Sequence, residues 1–499
     1  MKRLAAALLA FGLLAAGAAE ARPAEIVYQI MTRSFRDSNG DRIGDLDGVR
    51  EGLPYLKSLG VTTVLLTPIQ PSPFYHNYFP SGFEDVDPAF GDEAALHRLI
   101  AAVHAAGMKL YLDEEFQYVA EGNPWLTAAR DDPKMRRRIL MNPASSQPEG
   151  ALGHVLRLST WNGGKYEVVT VNLADPEVRA FFAGYLTRQA REGVDGFRLD
   201  HMMDDLDNKG RLTNLFATFW GPIMAQVRAA RPDVTFIAEQ ADWGSYGEPW
   251  LTRGGVDAVF AFRLRDAIAS LDKVRILTAI AATAAATPPG KRQFVQIENH
   301  DIDRFASVVG GDPAKERLGA AFDLFIAGTP LIYYGQELGM RGSKSHTWGT
   351  DANDIPQREA FRWSADEAAP GAATWYQGDW PWWKDRFNRS HDGVSVEEEG
   401  HDPASLLNWY RELTALRRER PEWRDGDQTV ACPKAEHIVC LLRTAGGSQS
   451  LLVANLSAEP AKAPVGASHA WKTLIANGGA LAGAELSLSP WGVAILGSP

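Results

Sequence analysis

The stretch GVDGFRLDHMMDD, residues 193–205, decides how this chain is read. Its first part, Gly196–Asp200, is short and apolar except for Arg198, the composition of a strand buried on both faces. It ends abruptly in a carboxylate, Asp200. Two later stretches repeat the layout: FIAEQADW (236–243) carries its apolar run to Glu239, and FVQIENHDIDR (294–304) carries its own to Asp301. A closed parallel barrel presents its chemistry at the carboxyl ends of its strands, so three such ends can converge on one pocket. Converging acids of this kind suggest cleavage or transfer of a glycosidic bond.

Working outward, apolar runs suited to buried parallel strands occur at Ile26–Met31, Thr63–Leu66, Lys109–Asp113, Gly196–Asp200, Thr235–Glu239, Ala258–Phe262, Phe294–Glu298 and Leu331–Tyr333. Amphipathic helical stretches fall between them, at Glu93–Ala106, Pro176–Glu192, Leu212–Ala230, Asp266–Ala285 and Pro313–Ala327, with a last one at Pro403–Arg418. Eight strands alternating with helices predict an α/β fold, a (β/α)8 TIM barrel over residues 22–424. Two regions depart from the alternation. Residues of about 114–174 are rich in Asn, Gly, Trp and Pro and too many for an ordinary loop, so they read as an inserted subdomain after the third strand, placed to act as a lid. After Arg424 the text turns to alternating strands (HIVCLLRT, SQSLLVANL, AWKTLIA, GVAILG), predicting a C-terminal antiparallel β-sandwich over 425–499.

Composition narrows the function classes. A net charge of −11 argues against a polyanionic partner such as nucleic acid, and the one basic run, Arg136–Arg138, reads as a solvated helix face. Residues 1–21 have a basic start (Lys2, Arg3), an apolar run and a small-residue end at Ala19-Glu20-Ala21, the pattern of a secretory signal peptide. That run is short of the roughly 20 residues a membrane span needs, and no later stretch supplies one. The expected location is therefore secreted, in a periplasm. Only Cys432 and Cys440 occur, with no zinc-like spacing; after export they either pair across a hairpin or stay as buried thiols. No glycine-rich phosphate cradle appears in the right context, so no organic cofactor is implied.

Asp37, Asn39, Asp41, Ile43 and Asp45 alternate around Gly40, a spacing that lets one loop wrap a hard cation through side chains and a backbone carbonyl. The closing Glu of an EF-hand is absent, Gly48 standing at the twelfth position, so a solvated Asp/Asn turn is the competing reading.

Seven strings occur in order around the barrel pattern: YQIMTRSFRDSNGDRIGDLDGV (28–49), GVDGFRLD (193–200), IAEQ (237–240), ENHD (298–301), AGTPLIYYGQELGM (327–340), NDIPQREAFRW (353–363) and DGVSVEEEGHDPASLLNWYRELTALRRERPEW (392–423). On these the chain resembles glycoside hydrolase family 13, the α-amylase family, from Val27 to the C-terminal strands. Its secreted α-amylase, neopullulanase and oligo-1,6-glucosidase branches are the most similar. The resemblance implies that Asp200 is a nucleophile forming a glycosyl-enzyme, Glu239 the acid and base, and Asp301 a stabiliser of the transition state. Arg198, two residues before Asp200 and on the same side of its strand, is placed to pair with it. His300 is implied to donate to sugar hydroxyls, Asn299 to orient its neighbours, and Tyr78 to stack on the sugar ring. Asp113, Tyr118 and His201 fall at further substrate-contact positions, whereas Phe74 and Tyr75 read as loop packing. The resemblance also makes the 37–45 loop a structural calcium site.

Departures from the family pattern bear on specificity. The segment ending the third strand is usually Asp-x-x-x-Asn-His, but here it reads DEEFQY, with Gln117 and Tyr118 replacing the Asn and His and with Glu114 and Glu115 added. The usual Pro-Asp-Leu-Asn is reduced to TVNL at 170–173. Met203 and Asp204 stand where many α-amylases have Lys-His, and Phe79 where many exo-acting α-glucosidases have Asp. The expectation is a retaining α-glycosidase hydrolysing α-glucans or maltooligosaccharides. A transglycosylase or isomerase on short α-glucosides, or a catalytically silent glycan-binding protein, are the alternatives; the retained Arg198, Asp200, Glu239, His300 and Asp301 count against the last.

Overall fold

A computed structural model describes residues 24–142, 144–150, 154–432, 436–466 and 470–498; the expected signal segment lies outside them. Eight parallel strands close into a barrel: β1 (Val27–Ile30), β2 (Thr63–Leu66), β3 (Lys109–Glu114), β4 (Gly196–Met202), β5 (Thr235–Gln240), β6 (Ala258–Phe260), β7 (Arg292–Val295) and β8 (Thr329–Tyr333). Neighbours in sequence are neighbours in space, and β8 returns to β1 with Val27 opposite Leu331.

The alternation of side chains along each strand decides what faces inward. A small interior cluster takes Val27, Leu65, Tyr111, Ile237, Phe260, Phe294 and Leu331 from seven of the strands. Strand β4 contributes Gly196 at this level, because a Cβ there would sit 2.7 Å from the Tyr111 ring and 2.8 Å from the Thr235 carbonyl. The same face of β4 then presents Arg198 and, at the mouth, Asp200. On β3 the face that carries Tyr111 continues to Asp113, with Glu115 just past the strand's end, and on β5 it runs from Ile237 to Glu239.

Helices cover the barrel, and those at Glu93–Ala105, Pro176–Glu192, Pro313–Phe325 and Leu406–Glu419 begin where Asp92, Asp175, Asp312 and Ser405 cap their first turns. Four elements differ from the sequence expectation, the simplest being the strand expected over Ala258–Phe262, which ends at Phe260 because Phe262 already opens a helix. The helix expected over Leu212–Ala230 is a π-helical turn, Phe216–Trp220, followed by an α-helix, Gly221–Ala230. The one expected over Asp266–Ala285 is two helices, Phe262–Ala269 and Lys273–Ala285, broken where Leu271 takes φ +49° and Asp272 caps a new start. Strand β7 ends before Glu298, whose carboxylate turns away to Arg304 at 3.0 Å and to the amide of Phe305 at 2.6 Å.

The insertion contains a three-stranded antiparallel sheet in which Lys165–Thr170 lies between Tyr118–Ala120 and Leu156–Ser159, with a helix at Pro124–Asp131. Ala120 and Val168 of this sheet pack on Phe74 beside the barrel mouth. The C-terminal strands β9 (Asp427–Val430), β10 (Ile438–Ala445), β11 (Ser448–Asn455), β12 (Ala461–Pro464), β13 (Lys472–Ala482) and β14 (Glu485–Gly497) join into one antiparallel sheet. It curls because β14 pairs first with β12 and then with β11, while β13 follows it through two register shifts. Its own core includes Ile438, Leu451, Val453, Leu486 and Leu496. Cys432 and Cys440 are disulfide-bonded, with Cα atoms 5.3 Å apart, which settles the cysteine alternatives in favour of pairing. Among the described residues no helix is long and apolar enough to cross a membrane.

Candidate active site

One guanidinium organises the carboxyl mouth of the barrel. Arg198 is 2% exposed and lies between the rings of Tyr78 and Phe260, 5.7 and 5.8 Å from their centroids. Its Nη1 donates to both oxygens of Asp113, at 2.7 and 2.8 Å, and to Asp200, while its Nη2 lies 3.1 Å from Glu239 Oε2. Three carboxyl groups from β3, β4 and β5 therefore share a single positive charge.

The three respond differently to that sharing. Burial opposes ionisation of Asp200, but Arg198 and a hydrogen bond from Glu115 outweigh it and hold the carboxyl below its ordinary range. Glu239 is pushed up to about 8: burial dominates, Arg198 opposes it, and the charges of Asp200 and Asp301 add to it. Its oxygens accept from the backbone amide of His201 at 2.8 Å and from Trp243 Nε1 at 3.1 Å. The His201 amide faces Glu239 with the backbone of that residue at φ +43°, just past the end of the regular β4 register. Asp113 is raised to about 6 by burial against the pull of Arg198, and it also accepts from Tyr78 Oη at 2.7 Å.

The third expected acid has its own partners. Asp301 lies 3.0 Å from His300 Nε2 and 3.0 Å from Arg358 Nη2, which hold it well below the usual carboxylate range although burial works the other way. Asn299 accepts the Asp301 amide at 2.9 Å. The His300 ring is parallel to Tyr78, with centroids 5.2 Å apart, and its other nitrogen is 3.3 Å from Gln29 Nε2. Asp200, Glu239 and Asp301 all open on one cleft of about 750 Å³, together with Tyr78, His201 and His300. The insertion supplies Leu158 and Ser159 to its wall.

Two expected contact residues stand behind this surface. Asp113 is buried beneath Tyr78 and Arg198, and Tyr118 packs beside Phe79 with ring centroids 6.2 Å apart. Phe74 and Tyr75 are buried as expected of packing residues, yet Phe74 also lines the cleft and the Tyr75 hydroxyl is 3.1 Å from Arg358 Nη1. Sequence reasoning gave no role to Arg358, Trp243 or Glu115. Arg358 and Trp243 lie within quoted strings, but nothing in their spacing reveals that a residue 57 positions on closes over Asp301. Glu115 was legible from alternation, as the next inward position after Asp113.

The 37–45 loop is wound on its own carboxylates. Asp37 accepts the amides of Asn39, Gly40 and Arg42, Asp41 accepts that of Ile43, and Asp45 accepts from Ser38 and caps the helix Leu46–Ser58 through Gly48. Asp37 and Asp45 are 6% and 4% exposed, and among the described residues neither has a basic side chain within 4.0 Å. An oxygen-only donor set with two buried carboxylates that lack a basic side-chain partner is of the type a hard cation takes, although the loop's own amides already occupy these oxygens. The three carboxylates of the loop do not themselves form a tight cluster. Among the described residues Glu93, His97 and Glu192 do, and could chelate a metal.

Residues 29–426 match the family model described as the alpha amylase catalytic domain, and residues 425–495 match a domain of unknown function, DUF3459. The chain belongs to the alpha-amylase family. Alpha-amylase 3 of Dictyoglomus thermophilum is 29% identical over 79% of this chain and 76% of its own length. A 4-alpha-glucanotransferase of Thermotoga neapolitana is 27% identical over 87% of this chain and 96% of its own. Among solved structures, an alpha-amylase from H. orenii superposes with a TM-score of 0.79 at 25% identity, covering 96% of this chain and 100% of that one. The chemistry of this alpha-amylase family enzyme is that of glycoside hydrolases and transglycosylases on α-glucosidic bonds.

Proposed function

We propose that this enzyme transfers α-glucosyl units of short α-glucosides by double displacement, with a second sugar competing against water as acceptor. The observation that carries the double displacement is two acids on one guanidinium, Asp200 and Glu239 on Arg198, with Asp200 pushed below the ordinary carboxyl range and Glu239 raised to about 8. Asp200 attacks the anomeric carbon as Glu239 gives its proton to the departing oxygen. Glu239, now ionised, takes a proton from the incoming hydroxyl, the new C–O bond forms, and the bond to Asp200 breaks with its electron pair returning to the carboxylate. Both acids contact a single guanidinium, Asp200 through Nη1 and Glu239 through Nη2, an arrangement compatible with the close pair of a retaining enzyme, about 5–5.5 Å. Asp301, charged and bound by His300 and Arg358, is placed to oppose positive charge developing at the sugar.

Support for transfer comes from the glucanotransferase relative and from a cleft wall that includes Phe74, Phe79, Leu158 and Trp243, apolar surface that displaces water around a bound sugar. Hydrolysis is the second reading. Product analysis decides: mature protein and Glu239→Gln are incubated with maltose, maltooligosaccharides, isomaltose, trehalose, sucrose, pullulan and starch. Longer or isomeric products formed ahead of free glucose support transfer. Reducing ends alone make the enzyme a hydrolase, and turnover no higher than that of Glu239→Gln makes it a silent binder.

We also propose that Asp37, Asn39, Asp41, Ile43 and Asp45 hold a calcium ion that stabilises the loop between β1 and its helix. Chelation should then lower the melting temperature without changing kcat per folded molecule; an unchanged melt refutes it. Export to a periplasm is proposed from residues 1–21, and a secreted form beginning at Arg22 is the expected product.

A further inference from the structure

The turn after β3 reads Glu114-Glu115-Phe116-Gln117, and two of its side chains close on the same residue. Gln117 Nε2 donates to the main-chain carbonyl of Asp200 at 2.7 Å. Glu115, 4% exposed, accepts the backbone amides of Gln117 and, at 3.1 Å, Tyr118, and its carboxyl group hydrogen-bonds the Asp200 carboxylate. Among the described residues no basic side chain lies within 4.0 Å of Glu115. Two carboxyl groups share a hydrogen bond only when one carries the proton. Asp200 keeps Arg198, so the proton belongs to Glu115.

We propose that Glu115 is a positioning residue that acts through Asp200: as a hydrogen-bond donor it keeps the nucleophile ionised, fixes its orientation, and eases its departure from the glycosyl-enzyme. The proposal rests on the double-displacement reading above. In the second step, as the acceptor oxygen bonds to the anomeric carbon and the bond to Asp200 breaks, negative charge returns to that carboxylate. The Glu115 donor is already aligned to receive it, and such a prepaid contact lowers the barrier without reorganisation. Burial and the nearby Asp200 charge both raise Glu115 well above the ordinary carboxyl range. The groups facing it are Asp200 from β4, the Tyr118 ring from the insertion, and the two amides of its own turn.

The test compares mature wild type, Glu115→Leu and Glu115→Gln with α-glucosyl fluoride as donor across pH. Gln keeps a carbonyl for the two amides and an N–H for Asp200, whereas Leu keeps only the volume. Leu should lower kcat/KM by about 10- to 100-fold, the loss of one hydrogen bond to a charged group, and should move the acid limb to higher pH because Asp200 loses a donor to its charged form. Gln should recover most of the rate and the wild-type acid limb. A Gln variant as impaired as Leu, or an acid limb that stays put in Leu, overturns the proposal; should Leu not fold, a loss beyond about tenfold in Gln overturns it alone. Trapping with 5-fluoro-α-glucosyl fluoride and peptide mapping separates the two readings. Label on Asp200 with an immobile acid limb removes only the role of Glu115, and label on another residue removes the nucleophile assignment and this proposal together.

Discussion

The two mouths of the barrel both carry acids but balance them in opposite ways. At the amino ends of the strands Glu25 pairs with Arg292, Asp195 with Arg231 at 2.6 Å, and Asp257 with Arg228 at 2.8 Å. Each of these three carboxylates has a basic partner, and although Arg231 also reaches Asp233 at 3.3 Å, no cation among these pairs serves three acids. At the carboxyl ends Asp113, Asp200 and Glu239 divide Arg198 among them and Glu115 has no basic partner. The lower mouth holds the larger cavity, about 910 Å³ against about 750 Å³ above, so volume does not mark the site. Of the two mouths, the one with surplus desolvated acid is the site, because there some carboxyls stay protonated beside a neighbour that stays charged.

The largest effect is expected from cutting the shared cation. Arg198→Met leaves buried carboxyls without their counter-charge, which should cost about 3–5 kcal/mol of stability and about 10³-fold or more in kcat/KM. Urea unfolding and steady-state kinetics on the best substrate measure both. A variant of near wild-type stability and rate would show that the upper acids neutralise themselves, and the contrast between the mouths would lose its meaning.

A smaller and graded effect follows from pH. Glu239, raised to about 8, must be protonated to act as the acid, so it is competent below that pH and lost above it. With a natural glycoside kcat/KM should fall above about pH 8, tenfold per unit once the limb is established. A rate still flat at pH 9.5 would contradict the protonated state assigned to this acid.

How much of this could be read from the chain differs by region. The eight strands were legible because a strand buried on both faces must be short, apolar and β-branched or aromatic, as TVLL and TFIAEQ are. The three acids were legible because each follows such a run. Strand ends were less so: Glu298 extends the pattern in sequence, but Arg304 draws it out of the barrel. The break at Leu271 was hidden because alanine-rich text continues helically on either side, and only a left-handed residue interrupts it. Arg358 could not be assigned because its meeting with Asp301 is made by the whole barrel and not by any local spacing. The Glu114–Tyr118 turn was noted only as a departure from a pattern; its function emerges once alternation puts Glu115 on the face of Asp113 and the Arg198 charge is seen to be oversubscribed.

The smallest effect is expected at the lower mouth, and it is the sharpest check on the comparison. Arg228 donates to Asp257 at 2.8 Å, with both side chains about a third exposed, and Lys291 lies 3.8 Å from the same carboxylate. Asp257 also accepts the amide of Phe236 at 2.9 Å, so its charge is stabilised from more than one side. Replacing Arg228 by Gln should therefore cost about 0.2–1 kcal/mol, as exposed pairs do, and lower the melting temperature by about 1–2 °C. Because the pair lies at the amino ends of β5 and β6, on the far side of the packed interior from Asp200, kcat/KM and its pH limbs should stay at wild-type values. A tenfold change in kcat/KM from this substitution would mean that charge at the lower mouth is felt through the barrel, and that Asp113, Asp200 and Glu239 are not balanced by Arg198 alone.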